Sequence, residues 1–211
     1  MAPPVKQPHR AWLALVSCVV LVALSILYVD RPASTWSHEH LGRPEVVNRI
    51  THLADPLPIG ATLGLAGVAI AAAFFGMHPG RHSQTLVAAS LAIIVAAGIK
   101  EQLKYLFGRP WPETWTARNP SWISDHAFGF HFAHGGTGWE SFPSGHMAEV
   151  AALAAVVWLR LPRIRWLSIA MAASVAAALW CTDYHFVGDI VAGAFLGVAC
   201  GIGMVAVACR S

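Results

Sequence analysis

Six apolar stretches constrain this chain more than any other feature: residues 11–29, 59–75, 86–107, 144–161, 166–182 and 186–209. A bilayer core takes about 20 mostly apolar residues per helix. In lipid each backbone polar group must find a partner within its own segment, so such runs become helices. Composition agrees, with 56% hydrophobic residues, 12% charged residues and a mean hydropathy of +0.55 over 211 residues. Soluble domains carry about 25% charged residues. The expectation is therefore all-α: a six-transmembrane-helix bundle forming one domain over residues 1–211. The first stretch is longer than a signal-peptide core and lacks a small-residue cleavage pattern after it, so it is read as a retained helix.

Some classes of function fall away early. The net charge of +3 is small and the basic residues are not gathered on one segment, so nucleic acid is not an expected partner. The four cysteines, Cys18, Cys181, Cys200 and Cys209, form no disulfide framework and fall within apolar runs. Loop charge orients the bundle. With the N-terminus cytoplasmic, six spans return the C-terminus to the same side. The cytoplasmic segments then hold Lys6, Arg10, Arg81, Arg160, Arg163, Arg165 and Arg210 and no acidic residue. A bacterial inner membrane fits the compact spans and short loops.

Ionisable residues at membrane depth are functional candidates by default, and here they gather at the outer ends of three spans. Lys100, Glu101 and Lys104 close the third, His146 and Glu149 open the fourth, and Asp183, His185 and Asp189 open the sixth. Pro143-Ser144-Gly145-His146 starts a helix, whose free N–H groups form an anion site. Ser144 is a plausible N-cap, and Gly145 permits close approach to the backbone. A plain capped helix start is an equally good reading of that tetrapeptide alone. His185 and Asp189 stand four apart on one helix face, where a carboxylate bonded to one ring nitrogen makes the other a better nucleophile. Lys100 and Lys104 repel at the same spacing unless an anion lies between them; a snorkelling pair explains them equally well in isolation. Together, two histidines, a supporting carboxylate, cations and helix-end amides specify phosphoryl transfer. No carboxylate cluster offers a magnesium cage, so the expected chemistry uses no metal and no cofactor.

These residues resemble the type-2 phosphatidic acid phosphatase superfamily of membrane lipid phosphatases, whose motifs are K-x6-R-P, P-S-G-H and S-R-x5-H-x3-D. The resemblance spans roughly residues 100–193 and the six-span plan. It implies that His185 is the nucleophile forming a phosphohistidine, that Asp189 supports it and that His146 protonates the leaving group. By the same resemblance Ser144 and Gly145 bind the phosphate, and the active site lies at the extracytoplasmic helix ends. The chain departs from the pattern in two places. Counting from Lys104, Trp111 stands where the first motif has arginine, and Ala178-Leu179 replace the Ser-Arg of the third. Lys104 and a displaced Arg109 are expected to bind phosphate, with Lys100 or Arg118 as further substitutes.

The connection 108–143 is long enough to be functional. It carries eight aromatic residues and the histidines His126, His131 and His134, which lack metal-ligand spacing. Its aromatics fit an interfacial belt or the walls of a lipid groove. The segment 30–58 shows no evident chemistry. The expected function is hydrolysis of a lipid phosphate or polyprenyl diphosphate, with a lipid phosphate and the bilayer as partners. A phosphotransferase would use the same site, and a catalytically silent lipid-phosphate binder or flippase-like protein is the non-enzymatic alternative.

Overall fold

The computed structural model describes residues 8–76, 80–115 and 118–209; Lys6 and Arg210, used above for orientation, lie outside them. The architecture is an all-α bundle. In chain order its main helices are α1 (Pro8–Leu24), α2 (Asp30–Leu41), α3 (Glu45–Thr51), α4 (Leu57–Phe75) and α5 (Arg81–Phe107). After a long connection with a four-residue α6 (Trp122–Asp125) come α7 (Gly145–Arg160), α8 (Arg165–Cys181) and α9 (Val187–Ala208). Four continuous helical stretches are long and apolar enough to cross a membrane: Trp12–Leu41, Glu45–Phe75, Arg81–Phe107 and Val187–Ala208. Helices α7 and α8 are shorter.

Helix α7 is the axis of the bundle. Ten of its sixteen residues are buried, as expected of a helix surrounded on every side. It packs most extensively on α9, and small residues make the approach possible. An added Cβ at Gly193 would stand 2.4 Å from the Ser144 carbonyl oxygen, and one at Gly197 would stand 2.2 Å from that of Ala148. At Gly201 it would meet the Ala155 Cβ at 2.6 Å. The G-x3-G-x3-G row on α9 thus lies against Ala148, Ala152 and Ala155, a small-residue helix contact of the kind membranes favour. Ala88, Ala92 and Ala96 of α5 complete this layer, while Val175 and Leu179 of α8 pack with Met147, Val150 and Ile190 on the other side.

The first helix departs from expectation. Asp30-Arg31-Pro32 reads as the end of a span, yet the chain continues helically to Leu41 through a π-helical turn at Ser25–Val29. Pro32, which has no N–H to donate, follows closely on that π-helical turn, the kind of helix irregularity found at proline. Asp30 is thereby carried, fully buried, against the start of α9.

Candidate active site

His185 lies on the turn between α8 and α9. The backbone N–H groups of Tyr184 and His185 both donate to the Leu179 carbonyl, at 3.0 and 3.1 Å, which pins the turn to the end of α8. Leu179 itself is fully buried in the apolar core. The place where the third motif carries arginine is therefore a packing position in this chain. His185 is almost wholly buried, with Nδ1 3.6 Å from Asp189 Oδ2. Burial pushes its imidazole below the ordinary histidine value; Asp189 opposes that shift and Lys104 adds to it. The ring is accordingly neutral near pH 7, the state in which it can act as a nucleophile.

Asp189 is held from several sides. Oδ2 accepts from Ser141 Oγ and from the Phe186 backbone N–H at 3.2 Å, and Oδ1 accepts from Arg109 Nη1. The Ser144 N–H donates to the Asp189 carbonyl at 3.0 Å, tying the starts of α7 and α9 together.

Arg109, expected to bind phosphate, is turned toward two carboxylates in this structure. Its side chain is 0% exposed, with Nη1 on Asp189 and Nη2 on Asp30 Oδ2 at 2.7 Å. Phe186, Phe128 and Phe130 pack around the guanidinium at 4.3, 5.0 and 5.4 Å. Both terminal nitrogens are committed to carboxylates, so Arg109 supports the aspartate. Asp30 completes the arrangement by accepting from the Gly188 N–H at 2.7 Å. Gly188 is required there, since an added Cβ would stand 2.9 Å from Asp30 Oδ2.

His146 opens α7, whose N-cap Ser144 accepts from the Met147 N–H at 3.4 Å. Its Nε2 lies 2.8 Å from Asp55 Oδ1, a carboxylate on the short connection before α4. Tyr184 joins the two histidines: its ring centroid lies 5.7 Å from that of His146 and 5.3 Å from that of His185. Trp111, in the place of the first motif's arginine, packs 5.1 Å from His185 and 5.3 Å from Tyr184.

The two lysines differ. Lys100 Nζ bonds Glu149, a buried carboxylate, at 2.6 Å. It also lies over Gly145, where an added Cβ would come within 2.7 Å of it. Lys104 is also largely buried, its nearest carboxylate is Glu101 at 3.8 Å, and its charge reaches His185. Arg118 is exposed.

The long connection is packed as a scaffold. Phe107, Phe130 and Phe142 form mutual contacts of 5.0–5.4 Å. His131 and His134 pack edge-on against Trp139, and His126 against Trp122. Among the described residues, no three His, Cys, Asp or Glu side chains converge as a metal would require. Beside the His185 turn, Arg43 binds Glu113, approaches Asp183 Oδ2 at 3.6 Å and lies 5.2 Å over Trp115. The segment 30–58, expected to show no evident chemistry, supplies partners to these groups through Asp30, Arg43 and Asp55. Their partners Glu113, Arg109, His146 and Gly188 lie 70 to 158 positions away along the chain, so no local pattern signals them. The Gly193-Gly197-Gly201 row, by contrast, is a local signal of close helix contact that counting apolar residues passes over.

Fold and site together define a helical protein of membrane character. One end collects a carboxylate-backed histidine, a second histidine at a helix start and a largely buried lysine. A sequence profile described as the PAP2 superfamily matches residues 85–210, and the chain belongs to that superfamily. The matched stretch holds Lys100, Lys104, Arg109, His146, His185 and Asp189, whereas Asp30 and Asp55 lie outside it. Among solved structures, the chain is similar to the crystal structure of the first transmembrane PAP2-type phosphatidylglycerolphosphate phosphatase from Bacillus subtilis. The likeness has a TM-score of 0.55 at 18% identity and covers 92% of this chain and 93% of that one. It is a likeness of fold. No curated protein sequence matches this chain.

Proposed function

We propose that the protein is a membrane phosphatase hydrolysing a lipid phosphate or polyprenyl diphosphate through a phosphohistidine, without a metal. The observation that carries this reading is the geometry of a buried His185 whose Nδ1 lies 3.6 Å from a firmly held Asp189 and whose neighbour Tyr184 also packs against His146. His185 Nε2 attacks phosphorus as the bond to the leaving oxygen breaks. His146 gives that oxygen a proton from Nδ1, while Asp55 on Nε2 stabilises its protonated form. Water then attacks the phosphohistidine, His146 takes the water's proton, and phosphate leaves with His185 restored. Lys104 and the N–H groups at the start of α7, beside Ser144 and Gly145, hold the phosphoryl oxygens as charge develops. Lys100, engaged by Glu149, contributes less.

In this reading six helices, α1/α2, α4, α5, α7, α8 and α9, cross the membrane of a bacterial cell, with the site on its periplasmic side. Arg81, Arg160, Arg163 and Arg165 gather at the other end, with no acidic residue in that stretch of loop, which supports the orientation. The test is phosphate release from lipid phosphates in detergent, with and without chelator. Release that survives chelation and disappears in His185→Ala is the expected result. Full activity in His185→Ala overturns the nucleophile, and dependence on added metal overturns the metal-free step. Lipid-phosphate binding with no turnover by the wild type would favour the silent binder instead.

A further inference from the structure

The end of the bundle remote from the histidines holds a cluster of cations around a cavity. A cavity of about 510 Å³ opens between the start of α5, the end of α7 and the start of α8, lined by Arg81, His82, Arg160 and Arg163 with Leu161 and Ile164. No acidic side chain lines it. Two of its cations are fixed in place: Arg81 Nη2 donates to the Arg160 carbonyl and Arg160 Nε to Thr85 Oγ1, each at 3.3 Å. Arg163 has no hydrogen-bond or ion-pair partner among the described residues. Like charges crowd here without compensation, and an anion would relieve them.

The rim identifies the kind of anion. Ile164 of the lining and its neighbours along the chain Leu159, Trp166 and Leu167 are all exposed, Trp166 by 65% and Leu167 by 68%. Arg165 stacks 5.1 Å over Trp158 and 5.4 Å over Trp166, an amphipathic pairing suited to a membrane interface. A free ion has no use for an apolar rim, whereas a phospholipid presents a charged head above apolar chains. Depth agrees as well. Arg81 and Lys100 stand on the same helix, α5, about 28 Å apart at 1.5 Å per residue, close to the thickness of a bilayer's hydrocarbon core. The cavity therefore belongs to the opposite leaflet from the candidate active site.

We propose that this cavity binds an anionic phospholipid of that leaflet, its phosphate among Arg81, Arg160 and Arg163 and its chains along Leu159, Trp166 and Leu167. Basic pockets between helices on the cytoplasmic side are a known form of head-group recognition. The proposal rests on the membrane-spanning reading given above but not on catalysis.

Native mass spectrometry of the full chain released from detergent tests it, with phosphatidylglycerol and phosphatidylcholine as probes and inorganic phosphate as competitor. The wild type should retain phosphatidylglycerol in preference to phosphatidylcholine and keep it in excess phosphate. Arg81→Gln/Arg163→Gln should weaken that binding by about thirtyfold, since each basic residue near an anionic interface contributes about 1 kcal/mol. Arg49→Gln, which removes an exposed charge elsewhere, should leave it unchanged. If the double variant does not fold, Arg163→Gln alone carries the test, because no bond is lost, and a several-fold weakening is expected. Equal loss in Arg49→Gln, equal retention of phosphatidylcholine, or displacement by phosphate overturns the proposal. Binding lost in His185→Ala but kept in the double variant also overturns it, by placing the lipid at the other end. A wild type that binds phosphatidylglycerol here but releases no phosphate from any lipid would defeat the phosphatase reading and leave this site standing.

Discussion

The two histidines sit in opposite surroundings. His185 is sealed from solvent behind a relay of buried groups, Asp189, Arg109 and Asp30, all three 0% exposed at the side chain. His146 is partly open, and its partner Asp55 has 52% of its side chain exposed. A buried ion network is costly to assemble and costlier to break, because removing one member strands the others without water. An exposed pair is screened and contributes little to stability. The carboxylate beside His185 is thus part of the buried framework, whereas the one on His146 is an exposed partner. That division suits the proposed roles, with His185 as a nucleophile that must hold one geometry and His146 as an acid that must exchange protons with solvent.

The contrast can be broken most directly at Arg109. Arg109→Ala leaves two buried carboxylates facing each other and should destabilise the protein by about 3–5 kcal/mol, read as thermal unfolding in detergent. Destabilisation under about 1 kcal/mol, the range of an exposed pair, would mean the network is solvated. Next, His146→Ala should fold normally but lose about 10²–10⁴-fold in turnover, the usual contribution of a general acid. A substrate with a good leaving group should recover most of that loss; an undiminished loss with that substrate would deny His146 its proton. Lys104→Ala should impair turnover more than Lys100→Ala, because Lys104 acts on His185 while Lys100 is neutralised by Glu149. The reverse order would move the phosphate toward Lys100.

Smaller effects sharpen the comparison through pH. Burial lowers the His185 value, so the neutral nucleophile persists as pH falls and the acid limb of kcat/KM should lie below the ordinary 6.5. The groups charging that ring are Asp189 from α9, Lys104 from α5 and His146 from α7. Asp30→Asn removes one negative charge from the relay, favours the neutral ring further and should move that limb to still lower pH. An unmoved limb would confine Asp30 to packing. Asp55→Asn should have the least effect on unfolding, within about 0.5 kcal/mol for an exposed pair.

Legibility in the sequence follows distance along the chain. His185 and Asp189 are readable because four residues set a helix face, and Ser144-Gly145-His146 because a helix start has a local signature. Lys104 is readable through the motif register. Arg109 is readable as a member of the site but not in its role. Spacing places a guanidinium near a site without saying which way it turns, and here two carboxylates outcompete open solvent for it. Asp30 and Asp55 escape notice because Arg109 and His146, the site residues they hold, lie 79 and 91 residues away. Asp30 also sits next to Arg31 and Pro32, which look like the end of a helix that in fact continues.

The most direct measurement is to quench the protein during turnover of a phosphorus-labelled lipid phosphate and locate any covalent label. Label that resists base, is released by acid and maps to His185 is the expected result, with none in His185→Ala. Label on another side chain, or lipid phosphate turnover continuing undiminished in His185→Ala, would contradict the nucleophile assignment outright.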